Sequence, residues 1–200
     1  MKKIVCFGDS NTWGFDPRLG SSNRYPADAR WTGILNASPD YAVRNYGING
    51  AVIPKEEWAF RSLSSELGAN PDAAYLTMMF GTNDILTSGN PAAEEIAARM
   101  EQCLIRFLPI REARAPQAEF IFLSPPKIRL NGGFFELSAS LASEKLSFLY
   151  HELAKKYGLR YADAAGWELP LAYDGIHLAE EGHRVFAEKI LGILKEADEA

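Results

Sequence analysis

Short apolar runs that do not alternate in polarity, each broken off by a small polar turn, recur along this chain and restrict how it can fold. Ile4-Val5-Cys6-Phe7 stops at Gly8-Asp9-Ser10, and Tyr41–Tyr46 stops at Gly47-Ile48-Asn49-Gly50. Ala74–Phe80 stops at Gly81-Thr82-Asn83-Asp84, Phe120–Leu123 at Ser124-Pro125-Pro126, and Leu159–Ala162 is a short fifth run. A strand that is apolar on both faces has to be covered on both faces, which is the condition of a parallel sheet between two layers of helix.

Helical spacing fills the intervals. Trp31–Leu35 is a short candidate. A second helix is expected from Pro54, in its first turn, to about Leu67, with Trp58, Leu63 and Leu67 turned inward. Asn90-Pro91 opens a third, in which Ile96, Met100, Cys103, Leu104 and Phe107 keep one face until Pro109 ends or kinks it. Ala142, Leu146, Leu149, Leu153 and Tyr157 form a fourth stripe, capped by Gly158, and a last helix runs from about Ala179 to Glu196. The expectation is a single α/β domain over residues 1–200, three-layered (α/β/α), with a five-stranded parallel sheet of flavodoxin-like type. Ligands of such sheets sit beyond the carboxyl ends of the strands. The turns after strands one, two and three, and the polar segment Tyr173–Leu178 after strand five, all fall on that rim.

Composition narrows the partners. With 47% hydrophobic residues and a net charge of -5, the chain can build a core and lacks the basic surplus that nucleic acid or an anionic membrane surface would attract. The apolar run behind Met1-Lys2-Lys3 is shorter than the roughly 7–15 residues of a secretory signal, and no window approaches the ~20 of a membrane span. A cytoplasmic protein acting on a small molecule is expected. Cys6 and Cys103 read as buried small hydrophobes rather than a disulfide. No His/Cys/carboxylate cluster has metal-ligand spacing, so neither metal nor cofactor is expected.

The chemistry-bearing residues suit an ester hydrolase. Ser10 ends a buried strand where a ligand could reach it. A serine hydroxyl needs a neutral imidazole to take its proton, and His177 is the candidate. Asp174, three residues earlier, is close enough along the chain to hold the imidazole in one tautomer. His183 is the only rival base, expected to be half-buried in line with Phe186 and Ile190. His151 falls on a solvated helix face. Asp9 and Asp84 are expected to cap helices or bind loop N–H groups.

Four blocks in order resemble the SGNH (GDSL-type) hydrolases: Phe7-Gly8-Asp9-Ser10, Asn45-Tyr46-Gly47-Ile48-Asn49-Gly50, Gly81-Thr82-Asn83-Asp84 and Asp174-Gly175-Ile176-His177. The resemblance implies that Ser10 is the nucleophile, His177 the base and Asp174 its orienting acid. It also implies an oxyanion hole made of the N–H groups of Ser10 and Gly50 and the Asn83 amide. The runs Cys6–Gly14, Arg30–Leu35 and Ser124-Pro125-Pro126 resemble the arylesterase/acyltransferase branch. That branch implies small esters as substrates and, in some members, acyl transfer to alcohols. Trp13 and Trp31 would then line the acyl or alcohol site. The competing readings are a catalytically inactive module and a flavin-binding module, because flavodoxin-like proteins also follow strand one with a Ser/Thr-rich loop such as Ser10–Gly14. The segment Lys127–Phe135, with Leu130, Phe134 and Phe135 outward, is expected to be either a lid or a contact in a homo-oligomer.

Overall fold

The computed structural model describes residues 1–19 and 23–199. Its strands are β1 (Lys2–Gly8), β2 (Tyr41–Gly47), β3 (Ala73–Met79), β4 (Glu119–Leu123) and β5 (Arg160–Ala162), in the spatial order β2-β1-β3-β4-β5. Every neighbouring pair is parallel. The five runs inferred from apolarity are thus the five strands of the sheet. The helices are α1 (Ser10–Trp13), α2 (Trp31–Asn36), α3 (Glu57–Gly68), α4 (Thr82–Leu86), α5 (Ala93–Arg114), α6 (Phe134–Tyr157) and α7 (Glu180–Glu199).

Alternate residues of each central strand feed opposite layers. Val5 and Phe7 of β1 join Phe120 and Phe122 of β4 beneath α3, α5 and α6, with Leu63, Leu67, Leu104 and Phe107 among their neighbours. Ile4, Cys6, Ile121 and Leu123 meet Trp31, Leu35, Phe186 and Ile190 of α2 and α7 on the other face. Burying a Leu, Ile or Phe side chain is worth roughly 1.5–3 kcal/mol, so a strand apolar on both faces gains twice over from being central. Cys6 and Cys103 lie in different layers, on opposite sides of the sheet, and both are free.

Some elements depart from expectation. Trp58 is 66% exposed, although helical spacing groups it with the buried Leu63 and Leu67. Helix α3 starts at Glu57, three residues after Pro54, so Trp58 stands in its first turn, outside the packed stripe of Phe60, Leu63 and Leu67. Pro109 does not end α5, which continues to Arg114. Proline removes the hydrogen bond to the carbonyl four residues back, and Ile105 is on the exposed side, where water can take that acceptor. The one-turn helices α1 and α4 have no hydrophobic period to mark their extent. Residues 127–131 are tied to the fold at three backbone positions. The Ile128 and Leu130 N–H groups donate to Ser143 Oγ (3.0 Å) and Ser140 Oγ (3.1 Å) of α6, and the Arg129 N–H donates to the Gly175 carbonyl (2.8 Å). Leu130 and Phe135 pack against the core, leaving Phe134 exposed.

The register levels the strand ends that matter. Gly8 pairs with Gly47 on one side and Met79 on the other. The turns after β2, β1 and β3 therefore leave the sheet side by side. A Cβ on Gly8 would lie 2.1 Å from Thr12 Oγ1 and 2.8 Å from the Met79 carbonyl, so only glycine lets the chain turn there.

Candidate active site

Ser10 is the first residue of α1. Asp9 caps that single turn, its Oδ1 accepting from the Asn11 N–H at 3.0 Å. Gly14 closes it in the left-handed region (φ 92), donating to the Ser10 carbonyl at 2.8 Å. An amide in the first turn of a helix has no intrahelical acceptor, so the Ser10 N–H can serve an oxyanion.

The other two polar partners arrive on a turn between Leu171 and Leu178, which are bridged to each other. Gly175 is the pivot, with φ 66, and a Cβ there would lie 2.1 Å from the Arg129 carbonyl. Asp174 Oδ1 accepts from the N–H groups of Ile176 (3.0 Å) and His177 (3.1 Å), while Oδ2 lies 2.6 Å from His177 Nδ1. On the far side of the ring, His177 Nε2 is 3.0 Å from Ser10 Oγ. Burial opposes the Asp174 charge, but the hydrogen bonds from the His177 ring and the two N–H groups outweigh it and hold the carboxyl below its usual range. A carboxylate only accepts, so Nδ1 carries the ring proton and Nε2 is left to accept from the serine hydroxyl.

Asn11 ties this turn to the start of α1, where Ser10 stands. Its amide donates to the Ile176 carbonyl (3.3 Å) and accepts from the Leu178 N–H (2.9 Å), holding the backbone on either side of His177. Phe15 packs on the imidazole with ring centroids 4.5 Å apart. Neither role has a signal in the sequence, because each contact spans some 160 residues of chain.

Gly50 has φ 77 in the exposed turn after β2. Asn83 stands in the first turn of α4, after β3. Its amide donates one N–H to the Ala51 carbonyl at 2.8 Å and keeps the second. Asp84 Oδ2 accepts from the Ile53 N–H at 2.9 Å, so two consecutive residues clamp the loop behind Gly50. Burial raises the Asp84 carboxyl, and burial likewise pushes Asp9 up to about 6. Asp9 Oδ2 has no well-formed hydrogen bond, although the Thr82 hydroxyl lies close enough to favour the charge in part. Both acids are structural, as expected.

Trp13 is half-buried beside Phe15, with the Arg24 guanidinium 5.1 Å from its ring centre. Trp31 does not line a site. It is 1% exposed, packs on Phe186, and spends its Nε1–H on the Asn11 carbonyl (3.0 Å). As the first residue of α2 it points into the layer shared with α7, which its position in a motif did not reveal. His183 is fully buried rather than half-buried, and its Nδ1 faces the Trp31 N–H at 3.5 Å. Burial, with Arg30 and His177 nearby, pushes its pKa down to about 3, so it stays neutral in the core and is no rival base. His151 is exposed, stacked on Tyr161. Among the described residues no group of three or more His, Cys, Asp or Glu is placed to hold a metal, and no helix is long and apolar enough to cross a membrane.

A parallel α/β sheet with serine, imidazole and carboxylate in hydrogen-bonded sequence at its carboxyl rim defines a hydrolase that can activate a hydroxyl nucleophile. The family is then explicit: a family model described as GDSL-like lipase/acylhydrolase matches residues 6–185, and the chain belongs to that family of ester-hydrolysing enzymes. Among solved structures it is similar to a carbohydrate acetylesterase from Sinorhizobium meliloti, at 24% identity and TM-score 0.79, over 96% of this chain and 100% of that one. It is also similar to the inhibitor-bound aryl esterase of M. smegmatis, at 23% identity and TM-score 0.81, over 98% and 99% of the two chains. These likenesses show the shared fold. No curated protein matches the chain.

Proposed function

We propose that the protein is a serine esterase for small acyl esters that works through an acyl-enzyme. The observation that carries this is the unbroken relay Ser10 Oγ–His177 Nε2 (3.0 Å) and His177 Nδ1–Asp174 Oδ2 (2.6 Å). Ser10 Oγ bonds to the ester carbonyl carbon as its proton passes to His177 Nε2. The C–O bond to the alcohol then breaks, and the leaving alkoxide takes that proton. Water attacks the acyl-enzyme by the reverse proton route and frees Ser10. The N–H groups of Ser10 and Gly50 and the second Asn83 N–H stabilise the oxyanion in both halves. An alcohol can replace water in the second half, giving acyl transfer.

Confinement supports a small acyl group. Ser10 is 2% exposed, and the side chains of His177 and Asp174 are 16% and 21% exposed. The arylesterase and acetylesterase likenesses agree with small esters. The flavin-binding alternative fares worse, since the Asn11 N–H that such a loop would offer a phosphate is already taken by Asp9.

The test is hydrolysis of p-nitrophenyl acyl esters of rising chain length by wild type and Ser10→Ala. Turnover that is highest on the shortest chains and lost in the variant is the expected result. Residual activity at the wild-type level would remove Ser10 from the mechanism. Methanol added during turnover, with methyl ester and free acid both quantified, measures transfer against hydrolysis.

A further inference from the structure

Helix α6 is apolar on two sides. Ala142, Leu146, Tyr150 and Leu153 face the core, as one side of a surface helix should. Phe134, Leu137, Leu141 and Phe148 of the same helix do not: they are 84%, 58%, 58% and 63% exposed. At about 100° per residue these four fall within a sector of about 60°. They form one stripe along two heptads, whereas apolar residues scattered singly over a surface would need no explanation.

The stripe is laid out to meet a second copy of itself. Phe134 and Phe148 lie seven residues, or two turns, on either side of Leu141. A twofold axis through Leu141 that sets two such helices antiparallel places each Phe134 opposite Phe148 of the partner subunit, and Leu141 opposite its own copy. A patch that is its own complement is what an isologous interface requires. Charge points the same way. Glu144 is paired with Lys127 (3.0 Å), Glu152 with Lys155 (2.9 Å) and Lys145 with Glu94. The charges bordering the stripe are thus balanced within one subunit and select neither an acidic nor a basic partner. The net charge of -5 disfavours an anionic membrane surface. The exposed parts of the four side chains come to roughly 400–500 Å² per subunit, over half of the ~800 Å² that a standard interface takes from each partner. The paired charges around them supply a polar rim.

We propose that α6 is the interface of a twofold homodimer, in which two copies of the helix pack antiparallel about Leu141 through Phe134, Leu137, Leu141 and Phe148. This goes beyond the esterase reading and does not rest on it. The interface adjoins the support of the catalytic turn, because Ser140 and Ser143 of α6 hold the 127–131 segment whose Arg129 N–H donates to the Gly175 carbonyl.

The experiment is light scattering on the full chain as it leaves a size-exclusion column. Twice the chain mass of 22.2 kDa is expected for wild type loaded at about 50 μM, a level suited to the micromolar affinity of a small interface. Leu141→Glu and Phe148→Glu put a charge into the contact at exposed positions. Each should return the mass of one chain with the far-ultraviolet dichroism of wild type. Orientation is tested by Leu141→Cys, which keeps a small apolar side chain at the axis. Under copper–phenanthroline oxidation it should link two chains, because the axis brings the two thiols within disulfide reach. Phe134→Cys should not, since the antiparallel register sets its two thiols about 20 Å apart. Cys6 and Cys103 are buried and do not compete. A wild type that keeps the mass of one chain at that concentration overturns the proposal. Co-sedimentation of such a monomer with phosphatidylcholine vesicles would give the stripe to a lipid surface instead. A dimer that persists in both glutamate variants, or that links through Phe134→Cys as readily as through Leu141→Cys, overturns it as well.

Discussion

At the scale of single residues, the site separates groups that react from groups that hold them. Asn83 spends one N–H on the loop, and in the proposed mechanism the other serves the oxyanion. Asn83→Ala is expected to lower kcat about 10²–10³-fold, the usual cost of one oxyanion donor, with a smaller change in KM. A loss below about threefold on p-nitrophenyl acetate would take Asn83 out of the hole. Asp9 predicts a pH effect instead. Burial raises its folded pKa to about 6 from the usual 3.8, so the native state holds this proton more tightly than the unfolded chain. Stability should therefore fall as pH rises from about 4 to about 6, and the full cost of the buried charge persists above that. Asp9→Asn keeps an oxygen for the Asn11 N–H and removes the ionisation. Urea denaturation should show it more stable than wild type by about 1–3 kcal/mol at about pH 8, with the slope between pH 4 and 6 reduced. Equal curves at every pH would mean that Asp9 is ionised at little cost.

At the scale of elements, the strands were legible and the one-turn helices were not. An apolar run such as Phe120–Leu123 carries its covered state in its composition, since nothing polar interrupts either face. The first turn after β1 has no such signal, because its shape depends on Asp9, on the missing Cβ of Gly8 and on a partner turn more than 160 residues away. The same distance hid the bracket that Asn11 makes around His177. It also explains Trp31, whose place in a motif suggested a ligand wall while its neighbours put it in the core. The triad residue types could be picked out because chemistry limits them to few kinds of side chain. The residues that aim them are limited only by geometry. Asn11→Ala should accordingly lower kcat about 10–100-fold while KM for a small ester changes little, as expected when a reacting group is misplaced by a fraction of its contact distance. Unchanged kcat would show that Asp174 and the 127–131 brace suffice to hold the turn.

At the scale of the whole molecule, the sheet has a chemical rim and a structural rim. Opposite the site, near the end of α7, Asp198 accepts hydrogen bonds from the Tyr41 hydroxyl (3.1 Å), from the Tyr75 hydroxyl and from Lys2. It thereby ties the last helix to the starts of three strands. Asp198→Ala leaves two partly buried hydroxyls without their acceptor and should cost about 1–3 kcal/mol in urea denaturation, with kcat of the native fraction unchanged. A fall in kcat in the native fraction would mean that α7 transmits the loss to the catalytic turn. The two members of the Ser10–His177 pair also differ in time. The serine leaves a ribosome 167 positions ahead of the imidazole it meets. A growing chain therefore carries that serine without its imidazole partner until those further positions have been made and β1 has met the turn before α7.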